Sequence, residues 1–124
     1  MKNVSNLAQI FHTRSHLARI CSRGEKEPPK HKAFYASMSV TYFNNYMLIR
    51  DLHPFTHANI AAMGRRFKKA ANDLTVLAFL DFLRGKNVLS YYNNGAAIAN
   101  ERCAKLIDSY LTTGKITPSP ESLP

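Results

Sequence analysis

The sequence predicts a mainly α-helical protein: a small single-domain helical bundle, or a winged helix-turn-helix-like variant of it with one short β-hairpin. A chain of 124 residues can build one modest core. Its composition, 45% hydrophobic and 20% charged, is typical of a globular domain. Apolar residues recur at helical spacing along most of the chain, which favours helices over strands.

Residues 1–24 form the first predicted element, a basic amphipathic helix. Leu7, Phe11 and Ala18 fall on one helical face, and Gly24 ends the segment. Residues 1–24 also contain no acidic residue, so a mitochondrial transit peptide is the alternative interpretation. We expect a Pro-rich linker at 25–33, a helical core domain at 34–116 and a flexible tail at 117–124.

The stretch 34–52 fits two patterns. Residues 38–43 alternate as in a strand, and Asn44-Asn45 suits a hairpin turn. Phe34, Met38 and Tyr42 begin a helical stripe that continues to residue 52, without Gly or Pro, so we favour a helix. The aromatic surplus of this stretch exceeds what one small core absorbs, which predicts a homodimer through residues 34–52.

Two further helices are predicted after the break at His53-Pro54. Thr56 is a suitable N-cap, and Phe55 can pack on Ile60 as a hydrophobic staple. The first of these helices should end near residues 70–71. The second should begin at residues 72–73 and end at residue 85, and its wide apolar arc predicts the central helix of the core.

A short strand is expected at 88–92, followed by a tight turn at Asn93-Asn94-Gly95 and a last helix from Ala97. Residues 56–64 resemble the first helix and turn of a winged helix-turn-helix unit. Residues 88–98 would then correspond to the wing.

Positive charge is concentrated in two segments. The chain carries a net charge of +9, with +5 in residues 1–32 and +4 in residues 65–86. Charge clustered in this way is typical of a protein that binds a polyanion, most often nucleic acid. Arg65, Arg66, Lys68 and Lys69 form the strongest cluster, because four cations within a turn and a half repel one another unless phosphates neutralise them.

The sequence therefore predicts a small nucleic-acid-binding protein, with DNA favoured over RNA, acting as a transcriptional regulator or accessory factor. The alternatives are a basic structural subunit of a ribonucleoprotein and an interaction protein that blocks an acidic partner surface. We expect a bacterial cytoplasmic, nucleoid-associated location, or the mitochondrial matrix. The predicted contact residues are Arg65, Arg66, Lys68, Lys69, Arg84, Lys86, Tyr91, Asn93, Asn94, Arg14, Arg19 and Arg23.

Catalytic, metal and cofactor functions are not predicted. No phosphate-binding glycine loop or nucleophile motif is present, and His12 and His16 lack a third ligand nearby. Cys21 and Cys103 are too few for a disulfide framework, so we expect two reduced thiols. No apolar run approaches the roughly 18 residues of a membrane span, so no membrane partner is expected.

Overall fold

The computed structural model describes residues 2–24 and 26–113, with side chains from residue 6 onward. These residues form four helices: α1 (Lys2–Ser22), α2 (Pro29–Arg50), α3 (His57–Leu83) and α4 (Asn87–Thr113). No strand occurs in the described ranges. The mainly α class is confirmed. The β-hairpin, and with it the winged helix-turn-helix, is wrong.

The helices form two antiparallel hairpins, α1–α2 and α3–α4, which pack mainly through α2 and α4. Phe34 of α2 lies beside Gly95 of α4, and Asn45 lies beside Asn100 further along both helices. Hence α2 and α4 run parallel. The α1–α2 turn, the α3–α4 turn and the N-termini of α2 and α4 therefore lie at the same end of the bundle.

One core connects all four helices. On α1 the side chains of Leu7, Phe11 and Ala18 are fully buried, and the Phe11 ring meets the Phe67 ring of α3 edge-on at 6.2 Å between centroids. The other core residues are Ala8, Met38, Tyr42, Ile49, Ile60, Ala99, Cys103, Ala104, Leu106 and Ile107.

Buried polar contacts fix the register between helices. Ser15 and Ser39 each donate a side-chain hydrogen bond of 2.8 Å to the other's carbonyl oxygen, across the α1–α2 interface. Asn45 Nδ2 donates to Asn100 Oδ1 at 2.9 Å across the α2–α4 interface. A buried polar group left without a partner is costly, so sliding either helix pair by one turn is disfavoured.

Helix α3 is continuous, where the sequence predicted two helices. The predicted cap is confirmed, since Thr56 accepts a hydrogen bond from the backbone N–H of Asn59 at 3.1 Å. The predicted break at 72–73 is wrong. Asp73 is exposed and accepts from Lys69 one turn earlier, and no Gly or Pro interrupts the helix there. Gly85 has φ +75° and follows the end of α3, as expected of a C′ glycine.

Gly64 excludes the turn of a helix-turn-helix unit. It lies inside α3, and a Cβ at this position would come within 2.9 Å of Ile107 Cγ2. Gly64 therefore allows α3 and α4 to approach closely, and residues 56–64 contain no turn between helices.

The strand at 88–92 and the turn at 93–95 are likewise wrong, because α4 begins at Asn87 and contains them. Asn93 donates from Nδ2 to the carboxylate of Asp81 at 2.7 Å, which joins α4 to α3. Gly95 faces α2, where a Cβ would overlap the carbonyl oxygen of Phe34. Close packing, rather than a tight turn, is the reason for this glycine.

Helix α2 extends further towards the N-terminus than the sequence predicts. Helix α2 starts at Pro29, inside the segment interpreted as a linker, and Pro is well tolerated in the first turn of a helix. The predicted tail at 117–124 lies outside the described residues. No helix in the described part of the chain is long and apolar enough to cross a membrane.

Candidate nucleic-acid interface

The strongest predicted cluster forms an exposed surface on α3, which we call the basic face. Phe67 is 2% exposed and anchors this part of α3 in the core. The four charged residues that flank Phe67 in the sequence are all exposed. The basic face consists of Arg65, Arg66, Lys68 and Lys69.

Half of the basic face is neutralised within the molecule. Lys69 pairs with Asp73 at 3.0 Å, and Lys68 approaches Glu101 of α4 at 3.7 Å. Among the described residues, Arg65 and Arg66 have no ion-pair partner. Exposed pairs of this kind contribute about 0.2–1 kcal/mol each, so a phosphate can replace them easily.

A groove of about 370 Å³ lies beside the basic face, between α3 and α4. Its charged lining contains both signs, and Lys105 there approaches the Glu101 carboxylate at 3.8 Å. Because the carboxylates of the groove repel an anion, the groove should bind anions more weakly than its three cations alone would. Its lining residues are Ala61, Gly64, Arg65, Lys68, Glu101, Ala104, Lys105, Asp108 and Leu111.

A second cationic surface combines the two basic segments of the sequence. The α1–α2 turn and the α3–α4 turn lie at the same end of the bundle, where Lys30 Nζ sits 5.3 Å from the centroid of the Tyr91 ring. Of its six cations, all but the half-buried Lys32 are exposed, and within the described ranges none has an ion-pair partner. This basic end consists of Arg23, Lys26, Lys30, Lys32, Arg84 and Lys86.

The net charges favour the basic end over the basic face. Glu25 and Glu27 accompany these cations in the sequence, and the Asp81 backbone carbonyl accepts a hydrogen bond from the backbone N–H of Lys86 at 2.9 Å. Six cations and three carboxylates leave +3. The basic face with Lys105, set against Asp73, Glu101 and Asp108, leaves +2.

Helix dipoles add to the positive potential at the basic end. The first turn of α2 has no acidic residue and no side-chain cap, and it contains Lys30 and Lys32. Helix α4 also has no acidic residue in its first turn, and Lys86 immediately precedes it. Cations at a helix N-terminus are unfavourable, because that end carries about half a positive charge. An anion bound there would accept hydrogen bonds from the free backbone N–H groups. It would also neutralise the positive charge of the helix end and of the neighbouring lysines.

Tyr91, Asn93 and Asn94 lie on a helix, where the sequence predicted a loop. The Tyr91 ring is half-buried and packs beside the His31 ring, with 5.8 Å between the two ring centroids. Asn93 is engaged by Asp81, whereas Asn94 is exposed. Tyr91 therefore supports the side chains around Lys30, and Asn94 alone of the three is free to reach a ligand.

The three arginines predicted on α1 separate into two environments. Arg14 is only 9% exposed and lies near Tyr42 and Cys103 in the core. Arg19 is exposed, and its guanidinium contacts His16 Nδ1 at 2.8 Å. Arg23 is exposed just after α1 and belongs to the basic end. The structure thus brings together Arg23, Arg84 and Lys86, but not Arg14.

Distance separates the basic face from the basic end. Lys69 and Arg84 are fifteen residues apart along α3, which corresponds to about 22 Å at 1.5 Å per residue. The sequence predicts one footprint for both clusters, because residues 65–69 and 84–86 are close in the chain. Lys26, Lys30 and Lys32 are not among the predicted contact residues, although the +5 charge of residues 1–32 is the signal that could have identified them.

The side chain of Cys103 is fully buried on α4. Burial raises the pKa of the Cys103 thiol to about 12, which keeps it protonated and unreactive near neutral pH. No group of three or more His, Cys, Asp or Glu residues with metal-binding geometry occurs among residues 2–24 and 26–113. Comparisons with protein-family models, curated proteins and solved structures found no match.

Proposed function

We propose that this protein binds the phosphate backbone of nucleic acid, with the basic end as the centre of the binding surface and duplex DNA as the favoured ligand. The observation that carries the proposal is the convergence of six cations from two distant segments at the N-termini of two parallel helices. Because residues 2–24 and 26–113 contain no helix-turn-helix to read bases, the role proposed is that of an accessory factor with little sequence preference.

Electrostatics support this proposal in two ways. Unpaired cations at an exposed surface attract a polyanion and release its condensed counterions on binding. The uncapped N-terminus of α2 presents backbone N–H groups to the same anion. The positive charge of Arg84 is stabilised by the negative C-terminal end of the α3 dipole. The unfavourable electrostatic energy at the basic end therefore comes mainly from Lys30, Lys32 and Lys86.

Two charge-matched variants test where nucleic acid binds. The first reverses four residues of the basic end: Arg23→Glu, Lys30→Glu, Arg84→Glu and Lys86→Glu. The second reverses the basic face: Arg65→Glu, Arg66→Glu, Lys68→Glu and Lys69→Glu. Both change the net charge equally, so a purely global electrostatic effect would weaken binding equally.

Binding is measured by mobility shift or fluorescence anisotropy on duplex DNA at several salt concentrations. We expect the basic-end variant to lose about three to four units of the salt slope, since each phosphate contact contributes about 0.9. The basic-face variant should lose clearly less. Equal slopes in wild type and both folded variants would exclude the proposal, and a loss confined to the second variant would move the site to the basic face.

Protein ligands are the second candidate class. An acidic partner surface can use the same cations, and a pull-down that survives nuclease treatment would indicate such a partner. Single-stranded and RNA competitors in the same titration test the preference for DNA. Assembly in a ribonucleoprotein would appear as tighter binding to the RNA competitor than to the duplex.

Self-association through residues 34–52 remains a prediction. The structure buries Met38, Tyr42 and Ile49 of this stretch in the protein's own core. Val40 and Phe43 remain 52% and 42% exposed, so a smaller apolar surface is available there than the sequence indicated. The proposed locations, bacterial cytoplasm or mitochondrial matrix, are both compatible with DNA as the ligand.

A further inference from the structure

The C-terminal half of α3 has an inverted distribution of polarity. In the run 76–83 the only charged residue, Asp81, is 7% exposed and hydrogen-bonded to Asn93, whereas the large apolar side chains around it are exposed. Phe79 and Phe82 are 59% and 61% exposed. A helix that is apolar on all sides normally lies inside a protein. This segment therefore lacks the covering that its sequence requires.

The exposed side chains of α3 are continued by three on the first turns of α4. Because a free Phe or Tyr side chain presents roughly 150–250 Å² and a Leu or Val less, these side chains together expose on the order of 800 Å². The largest apolar patch of a typical monomer is about 300–600 Å². This apolar patch consists of Val76, Leu77, Phe79, Leu80, Phe82, Leu83, Val88, Leu89 and Tyr92.

We infer that the apolar patch is covered by a second copy of this chain, in a twofold dimer that pairs the two α3 helices antiparallel. The exposed area is the most that one partner can cover, and it reaches the roughly 800 Å² that each partner buries in a stable interface of standard size. Val76, Phe79 and Leu83 are spaced by three and four residues, which gives a seam suited to helix–helix packing. This inference is independent of the proposed nucleic-acid function.

Charge decides the direction of pairing. Two chains of +9 repel each other, but the apolar patch itself contains no charged side chain. In an antiparallel pair centred on residues 79–80, the two basic faces lie about 40 Å apart along the axis, since α3 rises 1.5 Å per residue. That is several Debye lengths at physiological salt. A parallel pair would place the basic faces side by side.

A membrane surface fits the apolar patch less well. The turn between α3 and α4 carries Arg84 and Lys86, so insertion of this end into a bilayer would lead with two cations.

Sedimentation equilibrium of the full chain tests the inference with two matched variants. Phe79→Ser/Phe82→Ser removes both phenylalanine side chains of the apolar patch, and Val40→Ser/Phe43→Ser removes comparably exposed side chains from α2. All four positions are at least 42% exposed, so both variants should keep the fold by circular dichroism. We expect wild type and the α2 variant at twice the chain mass of 14.0 kDa. The α3 variant should weaken dimerisation by at least about a hundredfold.

Two outcomes would overturn the inference. The first is a monomeric wild type at high micromolar concentration, including one that floats with phosphatidylcholine–phosphatidylserine vesicles, which would assign the patch to lipid. The second is dissociation in the α2 variant but not in the α3 variant, which would place the interface at residues 34–52.

Disulfide trapping tests the orientation of the pair in a Cys21→Ser background. Antiparallel pairing centred on residues 79–80 brings position 76 opposite position 83 of the partner subunit. We therefore expect a mixture of the Val76→Cys and Leu83→Cys proteins to form heterodisulfides faster than either protein alone forms homodisulfides. Faster homodisulfide formation by both single variants would establish parallel pairing and contradict the geometry inferred.

Discussion

Gly95 illustrates how one residue type serves two different structural purposes. After two asparagines, a glycine predicts a tight turn, because both residue types tolerate positive φ. In the structure α2 passes so close to Gly95 of α4 that a Cβ atom would not fit there. A sequence pattern shows that a small residue is required, but only the packing of Phe34 shows for what reason.

Substitution of Gly95 should therefore be costly although alanine favours helix formation. We expect Gly95→Ala to reduce the free energy of unfolding by about 2–3 kcal/mol, because the added Cβ meets backbone atoms of Phe34 that cannot rotate away. The matched control is Asn94→Ala at the exposed neighbouring position, which should change stability by less than about 0.5 kcal/mol. Urea denaturation measures both, and equal stabilities would contradict the close approach of α2 and α4.

Cys103 should make stability fall at alkaline pH. Its folded-state pKa, about 12, lies above the ordinary value of 9.0 because the thiolate would be desolvated. Below pH 9 the Cys103 thiol is protonated in both the folded and the unfolded protein, so its ionisation does not change the stability. Above pH 9 the unfolded state loses its proton first, so the free energy of unfolding should fall by up to about 1.4 kcal/mol per pH unit.

The measurement compares wild type with Cys103→Ala between pH 8 and 10, by urea denaturation. The variant has a lower stability throughout, but its slope above pH 9 should be shallower. Tyr42 adds a second decline above pH 10, since its burial also raises its pKa. Identical slopes in the two proteins would exclude a buried, protonated Cys103.

At the scale of elements, the sequence predicted helices more reliably than it predicted their limits. Thr56 and Gly85 mark the ends of α3 correctly, because caps depend on local hydrogen bonds and φ angles that a few residues determine. Asp73 predicts a helix cap, but in the structure it lies within α3 and accepts a hydrogen bond from Lys69. The long helices α3 and α4 are stabilised against each other, and tertiary packing of this kind overrides local turn signals.

Helix α1 is the element whose status the sequence left open. As a transit peptide it would be dispensable, but in the structure Leu7 and Phe11 are fully buried. We expect Phe11→Ala to destabilise the protein by about 3–5 kcal/mol through loss of contacts with Phe67 and the cavity left behind. Ile20→Ala, at a position 57% exposed on the same helix, is the control and should have little effect. Thermal unfolding that is unchanged in both variants would show that α1 is not part of the cooperative core.

At the scale of the whole molecule, the sequence identified the charge but not its arrangement. The two basic segments are visible from residue counts, and the exposure of Arg65 and Arg66 follows from helical spacing. Lys30 and Lys86 lie at the same end of the bundle because α2 and α4 run parallel. No local sequence pattern determines that the two helices are parallel. The wide apolar arc of residues 74–83 predicts a central core helix, and this is wrong because the large apolar side chains of residues 76–83 are exposed. Periodicity shows that a surface needs covering, but not whether this chain or another covers it.

Dimerisation through the apolar patch predicts that thermal stability depends on protein concentration. If the dimer is the folded state, each tenfold increase in concentration adds up to about 1.4 kcal/mol per dimer, or half of that per chain. For a chain of 124 residues this corresponds to a rise in Tm of about 2–4 °C. Phe79→Ser/Phe82→Ser should unfold at a Tm independent of concentration, whereas Val40→Ser/Phe43→Ser should follow wild type. Differential scanning calorimetry over two decades of concentration separates these cases, and a constant wild-type Tm would show that the patch of α3 and α4 is not buried by a second copy.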